Sequence, residues 1–148
     1  MVSVIKAPAT PLFLAWAAGF FDGEGSVLIA RSFRSRMIRR PRFWFRITAT
    51  QLNPLPVVML RDAFGGSLFK AGDGAWRWTA SSNQAASALR AFLPWLTVKR
   101  AAADVGLRFQ DLQSARVGGL VLNPEEIEAR EALRVALHNI NKGHGFVF

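Results

Sequence analysis

The segment from residue 14 to residue 25 constrains this chain most, because it joins an apolar helical pattern directly to two closely spaced acids. At 3.6 residues per turn, bulky apolar side chains fall on one side of the segment, and Ala15, Ala18 and Gly19 fall on the other. Glycine inside a helix costs about 1 kcal/mol relative to alanine, so the bare side is expected to meet another backbone closely. A buried core helix whose small residues fit a tight corner is the alternative interpretation.

The two acids stand where this helix is expected to end. Asp22 and Glu24 alternate with Gly23 and Gly25, and negative charge near a helix C-terminus opposes the helix dipole by up to about 1 kcal/mol. A bound divalent cation would reverse that penalty. The acid pair therefore indicates a metal-binding position.

Positive charge is concentrated in the first part of the chain. The formal net charge is +9, and in residues 1–61 the only acids are Asp22 and Glu24, against Lys6 and the arginines at positions 31, 34, 36, 39, 40, 42, 46 and 61. A basic surface with one acidic spot favours a polyanionic partner, and metal-bound carboxylates within it suit phosphodiester chemistry. A charge that serves only solubility is the alternative.

Length and composition set further bounds. The chain has 148 residues, 51% of them hydrophobic, which predicts a single domain over 1–148 with residues 1–10 as a loose N-terminal arm. Cysteine is absent, which excludes disulfides and thiolate metal sites. No apolar stretch approaches the ~20 residues that cross a bilayer. We expect a soluble intracellular protein with no membrane partner, and the cytoplasm and an organelle matrix both stay open.

Residues 26–33 and 42–51 are rich in strand formers and predict a long antiparallel pair. The second strand alternates, and one of its faces carries Arg42, Trp44, Arg46 and Thr48. A cationic and aromatic strand face can lie against nucleic acid, because a two-stranded ribbon fits the major groove. The phase of the first strand is open, because the phase that buries Val27 and Ile29 also buries Arg31.

Further basic residues lie in the predicted hairpins. The connection between the first two strands carries Arg34, Arg36, Arg39 and Arg40, and we expect it to touch phosphates. A solvated hairpin tip is the alternative. Lys70 and Arg77 on the second predicted hairpin are further candidate DNA contacts.

The order of elements predicts an α+β fold. A second helix is expected from Pro54 to Phe64, and residues 72–74 separate two more strands, so that helix, strand, strand occurs twice. The predicted core is αββαββ, with four strands in one curved antiparallel sheet and helices packed behind it. Three C-terminal helices, at about 82–93, 99–114 and 124–140, complete it. The second unit has no acid pair.

Residues 17–25, AAGFFDGEG, resemble the motif of the LAGLIDADG homing endonucleases, here in the single-motif form. The similarity extends through about residue 142. It implies that the motif helix ends in a metal-binding acid, Glu24 with Gly23 beside it, and that motif helices pair between two copies. Asp22 matches the earlier acid of the motif. Glu24 stands where the motif has Asp, and its longer carboxylate suits the same oxygen-preferring metal.

Two more positions carry chemistry by the same resemblance. Gln51 matches a polar residue that orients the attacking water, and Lys99 matches the active-site lysine. A glutamine can hold a water and a lysine can offset charge as a phosphorane forms. A strand-end glutamine and a surface helix lysine are the alternatives.

Together these observations predict a homodimeric, site-specific endonuclease that hydrolyses double-stranded DNA with Mg²⁺, for which Mn²⁺ can substitute. The expected dimer interface is Ala15, Ala18, Gly19 and Asp22. A two-fold dimer predicts a long, nearly palindromic target, and the resemblance implies short 3′ overhangs. An RNA-binding maturase with intron RNA as its partner and a non-cleaving DNA-binding module are the alternatives. The target sequence, the number of metal ions and the retention of cleavage are open.

Overall fold

The structure is a computed structural model that describes residues 10–33, 41–117 and 121–143. In chain order its elements are α1 (Pro11–Glu24), β1 (Gly25–Phe33), β2 (Pro41–Gln51), α2 (Leu55–Phe64), β3 (Ser67–Lys70), β4 (Trp76–Ser81), α3 (Ser82–Phe92), a short 3₁₀ turn (Leu93–Trp95), α4 (Arg100–Ala115) and α5 (Pro124–Asn141). The predicted αββαββ order with three further helices is therefore confirmed. The expected N-terminal arm and the predicted phosphate contacts Arg34, Arg36, Arg39 and Arg40 lie outside the described residues.

The four strands form one curved antiparallel sheet in the order β1-β2-β4-β3. Gly25 pairs with Ala49 at one end of the β1–β2 ladder, and Phe33 pairs with Pro41 at the other end. The β2–β4 ladder runs from Arg46–Ser81 to Gln51–Trp76. Each β-hairpin thus pairs locally, and the β2–β4 ladder joins the two αββ units.

One face of the sheet is buried beneath the helices. Its fully buried side chains include Phe45, Ile47 and Trp78, and burying such a side chain contributes about 1.5–3 kcal/mol. Gly106 of α4 has no room for a side chain, because a Cβ there would lie 2.5 Å from the Phe45 ring. Glycine at this position lets α4 lie directly on the strand.

The structure decides the phase of β1. Val27 and Ile29 are buried, whereas Arg31 lies near the end of the strand and is exposed. The Arg31 guanidinium forms an ion pair of 2.8 Å with Glu131 of α5. The strand therefore buries its apolar residues without burying an unpaired charge, because Arg31 is exposed and pairs with Glu131.

Helix α1 begins as its sequence predicts. Thr10 is the N-cap, its hydroxyl oxygen accepting a hydrogen bond of 3.2 Å from the Phe13 amide, and Pro11 is the first helical residue. The buried residues of α1 are Ala17, Ala18 and Phe21. Small side chains on this side let the helix pack closely against its own domain.

The buried Arg130 side chain links α5 to α4 and β2 through hydrogen bonds. The Arg130 side chain is 2% exposed, and its Nε donates a hydrogen bond of 2.6 Å to the Gln113 side chain of α4. Gln113 in turn donates to the Phe43 carbonyl of β2 at 3.1 Å. Burial lowers the pKa of Arg130, although it stays a cation.

Over the three described stretches, no helix is both long and apolar enough to cross a membrane.

Candidate functional site

The end of α1 and the end of β2 lie side by side. Glu24 is the last residue of α1, and the next residue, Gly25, pairs with Ala49 of β2. Because the strands are antiparallel and β2 continues to Gln51, the residues Thr50 and Gln51 run alongside the end of α1. Two of the three catalytic candidates therefore lie at the same end of the sheet.

The third candidate is brought to this end by Asp22. One carboxylate oxygen of Asp22 accepts a hydrogen bond of 2.9 Å from the Thr97 amide, and the other accepts one of 2.9 Å from the Lys99 amide. Lys99 is the N-cap of α4, so the carboxylate lies at the positive end of that helix, where negative charge is favourable. Lys99, which is distant in sequence, is thereby attached to the last turn of α1.

The carboxylate of Glu24 is available for binding. Glu24 and Gly23 are exposed, and within the described parts of the chain Glu24 has no hydrogen-bond or ion-pair partner. Apart from the backbone of α1 itself, no atom of the described residues lies within 4 Å of the position that a Gly23 Cβ would occupy. The carboxylate and the neighbouring carbonyl oxygen are the type of donor that Mg²⁺ prefers.

The described residues supply only part of the coordination of a metal ion. Among the described residues, no three His, Cys, Asp or Glu side chains lie close enough together to hold one. Mg²⁺ takes six oxygen ligands, so Glu24 and Gly23 fit the ion chemically but leave most of its coordination to water or another molecule.

Gln51 and Lys99 keep polar groups free. The Gln51 side-chain oxygen accepts a hydrogen bond of 2.9 Å from the Leu52 amide, which leaves the side-chain NH₂ without a partner among the described residues. The Lys99 side chain is half-buried and forms no ion pair with a described residue. A free amide donor and a free cation thus lie at the same end of the molecule as the free carboxylate.

The sheet has an open face, which we define as the side chains that point away from the helices. Cross-strand partners share a face, so Leu28 lies beside Arg46 and Thr48 beside Thr79. The open face comprises Ser26, Leu28, Ala30 and Ser32 of β1, Arg42, Trp44, Arg46, Thr48 and Thr50 of β2, Arg77, Thr79 and Ser81 of β4, and Ser67 and Phe69 of β3. None of these side chains is buried, and none is acidic.

The open face carries five of the predicted DNA contacts: Arg42, Trp44, Arg46, Thr48 and Arg77. Two other predicted contacts, Arg31 and Lys70, lie on the opposite side of the sheet. Arg31 pairs with Glu131 of α5. Lys70 shares the side of Leu68, and its ammonium lies 5.9 Å from the centre of the Trp76 ring. The open face therefore does not include them, and their contact with DNA stays a prediction.

Sequence reasoning missed the smaller members of the open face. Ser26 and Leu28 were not assigned because the phase of β1 was open, and Thr79 was not assigned because its position depends on the β2–β4 ladder. Alternation along residues 76–81 could have indicated Thr79, because Trp78 and Ala80 are buried on either side of it. These short side chains separate the arginines of the open face.

Arg46 occupies the middle of the open face. Its cross-strand neighbours are Leu28 and Ser81. Among the described residues, the Nε of Arg46 is the one buried side-chain polar atom that has no hydrogen-bond partner. An unsatisfied buried donor costs about 1–3 kcal/mol, so this guanidinium lies in the sheet without an acceptor from the protein.

A stripe of α1 faces away from the domain. It consists of Leu12, Trp16, Gly19 and Gly23, spaced four, three and four residues apart. Leu12 is 86% exposed, and Gly19 has no atom within 4 Å of its Cβ position. Trp16 stacks on Phe20 with ring centres 5.6 Å apart. The stripe combines an accessible backbone with exposed apolar side chains.

The predicted interface on α1 needs correcting at Ala18, while the other positions stay predictions. Ala18 is fully buried within its own chain, and Asp22 is hydrogen-bonded to the turn before α4. Gly19 is exposed and Ala15 is half-buried. The repeat of 3.6 residues gives the faces of a helix, but packing decides which face is turned inward.

Solved structures share this fold, although no protein-family model and no curated protein matches the chain. The homing endonuclease I-CvuI, solved with uncleaved DNA in the presence of Mg, is 20% identical with a TM-score of 0.78 over 93% of this chain and 87% of its own. The archaeal intron-encoded homing endonuclease I-Vdi141I, complexed with DNA, is 14% identical with a TM-score of 0.74, covering 87% and 84%. The LAGLIDADG homing endonuclease I-GzeII, in complex with a DNA target, is 14% identical with a TM-score of 0.71; 84% of this chain matches 44% of that one.

Proposed function

We propose that this chain, whose fold is that of the LAGLIDADG homing endonucleases, is a site-specific endonuclease that cuts double-stranded DNA as a homodimer with Mg²⁺, for which Mn²⁺ can substitute. The observation that carries the proposal is one arrangement: an acid-free open face with three arginines runs toward the end of the sheet where α1 ends at Glu24 and β2 ends at Gln51, and Asp22 attaches the Lys99 backbone to the same end. A polyanion on that face would extend to the end of the sheet that carries these candidate catalytic residues.

DNA binding is supported by the chemistry of the open face. Arg42, Arg46 and Arg77 can contact phosphates or guanine edges, while Trp44 and Leu28 can contact bases through apolar surface. The acids of the chain lie elsewhere, at the end of α1, on the helices α2, α4 and α5, and in the turn before β4. Like-charge repulsion would therefore be weak over the whole open face.

A homodimer is supported by the number of candidate acids at the site. Each chain offers Glu24 as a single free carboxylate at this site, so cutting both DNA strands needs a second copy. The stripe of α1 can pair with itself about a two-fold axis, because Gly19 and Gly23 allow a close approach. The match to 44% of the length of I-GzeII also suits two copies of this chain.

The residues suit a metal-assisted hydrolysis. Glu24 and the Gly23 carbonyl would hold a divalent ion, which supplies a polarised water and offsets charge on the phosphate. The Gln51 amide would orient the water, whose oxygen bonds to phosphorus while the bond from phosphorus to the leaving sugar oxygen breaks. Lys99 would offset the charge that develops on the phosphoryl oxygens. Two-fold symmetry implies a long, nearly palindromic target, and the family resemblance implies short 3′ overhangs.

The test is cleavage of a randomised duplex library by the purified chain with Mg²⁺, followed by sequencing of the cut ends. Glu24→Gln and an EDTA sample are the negative controls. Glu128→Gln, which changes an exposed acid on α5, is the matched control. We expect the wild type and Glu128→Gln to cut at one nearly palindromic site. Glu24→Gln and the EDTA sample should not cut.

No enriched site from a folded dimer would refute the endonuclease. Preferential binding of structured RNA by the same sample would then support the maturase. Binding of duplex DNA without cutting would support the DNA-binding module.

A further inference from the structure

We propose that Asp22 is a positioning residue, which acts on the reaction by fixing the backbone of Lys99 at the end of α1 that carries Glu24. This inference rests on the proposed function and deepens it. In this proposal Asp22, the earlier acid of the pair, binds neither a metal ion nor a second copy of the chain. Its partner is the turn of residues 97–99 that leads into α4.

The contact uses both oxygens of the Asp22 carboxylate. Each accepts one backbone hydrogen bond of 2.9 Å, from Thr97 and from Lys99, across 75 and 77 residues of sequence. Charge-assisted hydrogen bonds of this kind are roughly twice as strong as neutral ones. Two bonds from one planar group also fix the orientation of the turn, which a single bond would leave free to rotate.

Little else holds this turn in place. Thr97 and Val98 are exposed, and the nearest buried side chains are Leu96 before the turn and Ala102 after it. Among the described residues, the backbone bonds at its two ends are Leu96 amide to Leu93 carbonyl and Ala103 amide to Lys99 carbonyl. The amides of Thr97 and Lys99 thus depend on Asp22 for their hydrogen bonds.

The placement also accounts for an acid at the C-terminus of α1. Negative charge is unfavourable at that end of α1 but favourable at the N-terminus of α4, where the first amides lack helical partners. Asp22 satisfies two amides at the beginning of α4 and holds the Lys99 backbone at the last turn of α1, two residues along the chain from Glu24. Loss of the contact should therefore affect chemistry more than DNA affinity, since small misplacements of catalytic groups reduce rates by up to about 100-fold.

The test is a double-mutant cycle on single-turnover cleavage with Asp22→Asn, Lys99→Gln and the combined variant, using the duplex selected above. We expect Asp22→Asn to reduce the rate about 10- to 100-fold while the Kd for DNA changes less than threefold. If Asp22 acts through Lys99, the double variant should be no slower than Lys99→Gln alone. Asp104→Asn, an exposed acid on α4, is the matched control and should cleave like the wild type.

Amide exchange of the DNA-free and metal-free protein reports the contact itself. We expect the Thr97 and Lys99 amides to exchange faster in Asp22→Asn, and to keep wild-type rates in Asp104→Asn. Should Asp22→Asn not fold, Asp22→Glu keeps both acceptor oxygens on a longer side chain, and it should cleave more slowly than the wild type only when Lys99 is present.

Three results would count against the positioning role. Multiplicative losses in the double variant would mean that Asp22 acts independently of Lys99. Unchanged exchange at both amides would mean that the contact is absent in solution. Tenfold or greater loss of DNA affinity in Asp22→Asn would assign Asp22 to binding. A wild type that cleaves no duplex would instead refute the proposed function itself, whatever the amides do.

Discussion

The carboxylate of Asp22 and the backbone amide of Lys99 form a hydrogen bond of 2.9 Å that links the C-terminus of α1 to the N-terminus of α4. This bond brings a lysine from the C-terminal helices to the acid end of the motif helix. Beside it, the end of β2 adds Gln51. The candidate catalytic groups thus come from three elements that are distant in sequence: the end of α1, the end of β2 and the beginning of α4.

Glu24→Gln should abolish Mg²⁺-dependent cleavage and leave DNA affinity within about threefold of the wild type. The physical reason is that the amide is nearly the same size but cannot supply a negative oxygen ligand, while Glu24 lies beyond the strands that form the open face. Cleavage rate and Kd on the same duplex are the measurements. Wild-type cleavage by Glu24→Gln would remove Glu24 from the reaction.

Arg46→Ala should weaken DNA binding by about 1–3 kcal/mol if the guanidinium reads a base, or reduce the salt slope by about 1 if it contacts a phosphate. Arg31→Ala is the matched control, because that arginine is paired with Glu131 on the other side of the sheet. Binding titrations at several salt concentrations distinguish the two contacts. Equal effects of the two substitutions would place Arg46 outside the interface.

Gly19→Leu should weaken dimerisation and at the same time stabilise the monomer. Apart from the backbone of α1 itself, no atom of the described residues lies within 4 Å of the Gly19 Cβ position, so the new side chain has room to project from the stripe, and replacing a helical glycine gains up to about 1 kcal/mol. Sedimentation equilibrium and thermal unfolding measure the two effects. A dimer as tight as that of the wild type would mean that this stripe of α1 is not the interface.

Arg130→Ala should lower the free energy of unfolding by about 1–3 kcal/mol. The substitution leaves the half-buried Gln113 oxygen and the Glu126 carbonyl without their donor and removes a buried side chain of α5. Urea unfolding gives the magnitude. Arg134→Ala, which removes a partly exposed ion pair with Glu131, is the control and should cost about 1 kcal/mol or less. Similar losses of unfolding free energy in both variants would show that the hydrogen bonds of Arg130 contribute no more than a partly exposed ion pair.

Acid should destabilise the protein partly through Glu126. A hydrogen bond from the Asn123 backbone and another from Arg116 lower the pKa of Glu126 below its ordinary value of 4.5. Its contribution is therefore complete above pH 4.5 and is lost as the pH falls through the lower, folded pKa. Glu126→Gln should flatten the dependence of stability on pH below 4.5, measured by urea unfolding at several pH values, and Glu125→Gln should not. An unchanged pH dependence in Glu126→Gln would contradict this assignment.

Local sequence patterns determined most of the secondary structure and part of the site. Thr10 and Pro11 set the start of α1, and strict alternation in β2 separated Phe45 and Ile47 from Arg42, Trp44 and Arg46. These features depend on capping and on a period of two residues, which neighbouring residues encode by themselves. The motif indicated Glu24, whereas Gln51 and Lys99 were assigned by resemblance to the family; β2 ends at Gln51 beside the end of α1, and Asp22 attaches the Lys99 backbone to the same end.

The tertiary structure decided what depends on distant parts of the chain. It rotated α1 so that Ala18 is buried and Gly19 is exposed, it ended the buried part of β1 before Arg31, and it gave Asp22 its partners 75 and 77 residues away. A helical repeat defines the faces of a helix but not which face packs inward. Strand alternation allows two phases, and neighbouring residues do not distinguish between them. Only the burial of apolar surface between elements distant in sequence selects one rotation and one phase, because it is the free energy of that packing that differs between them.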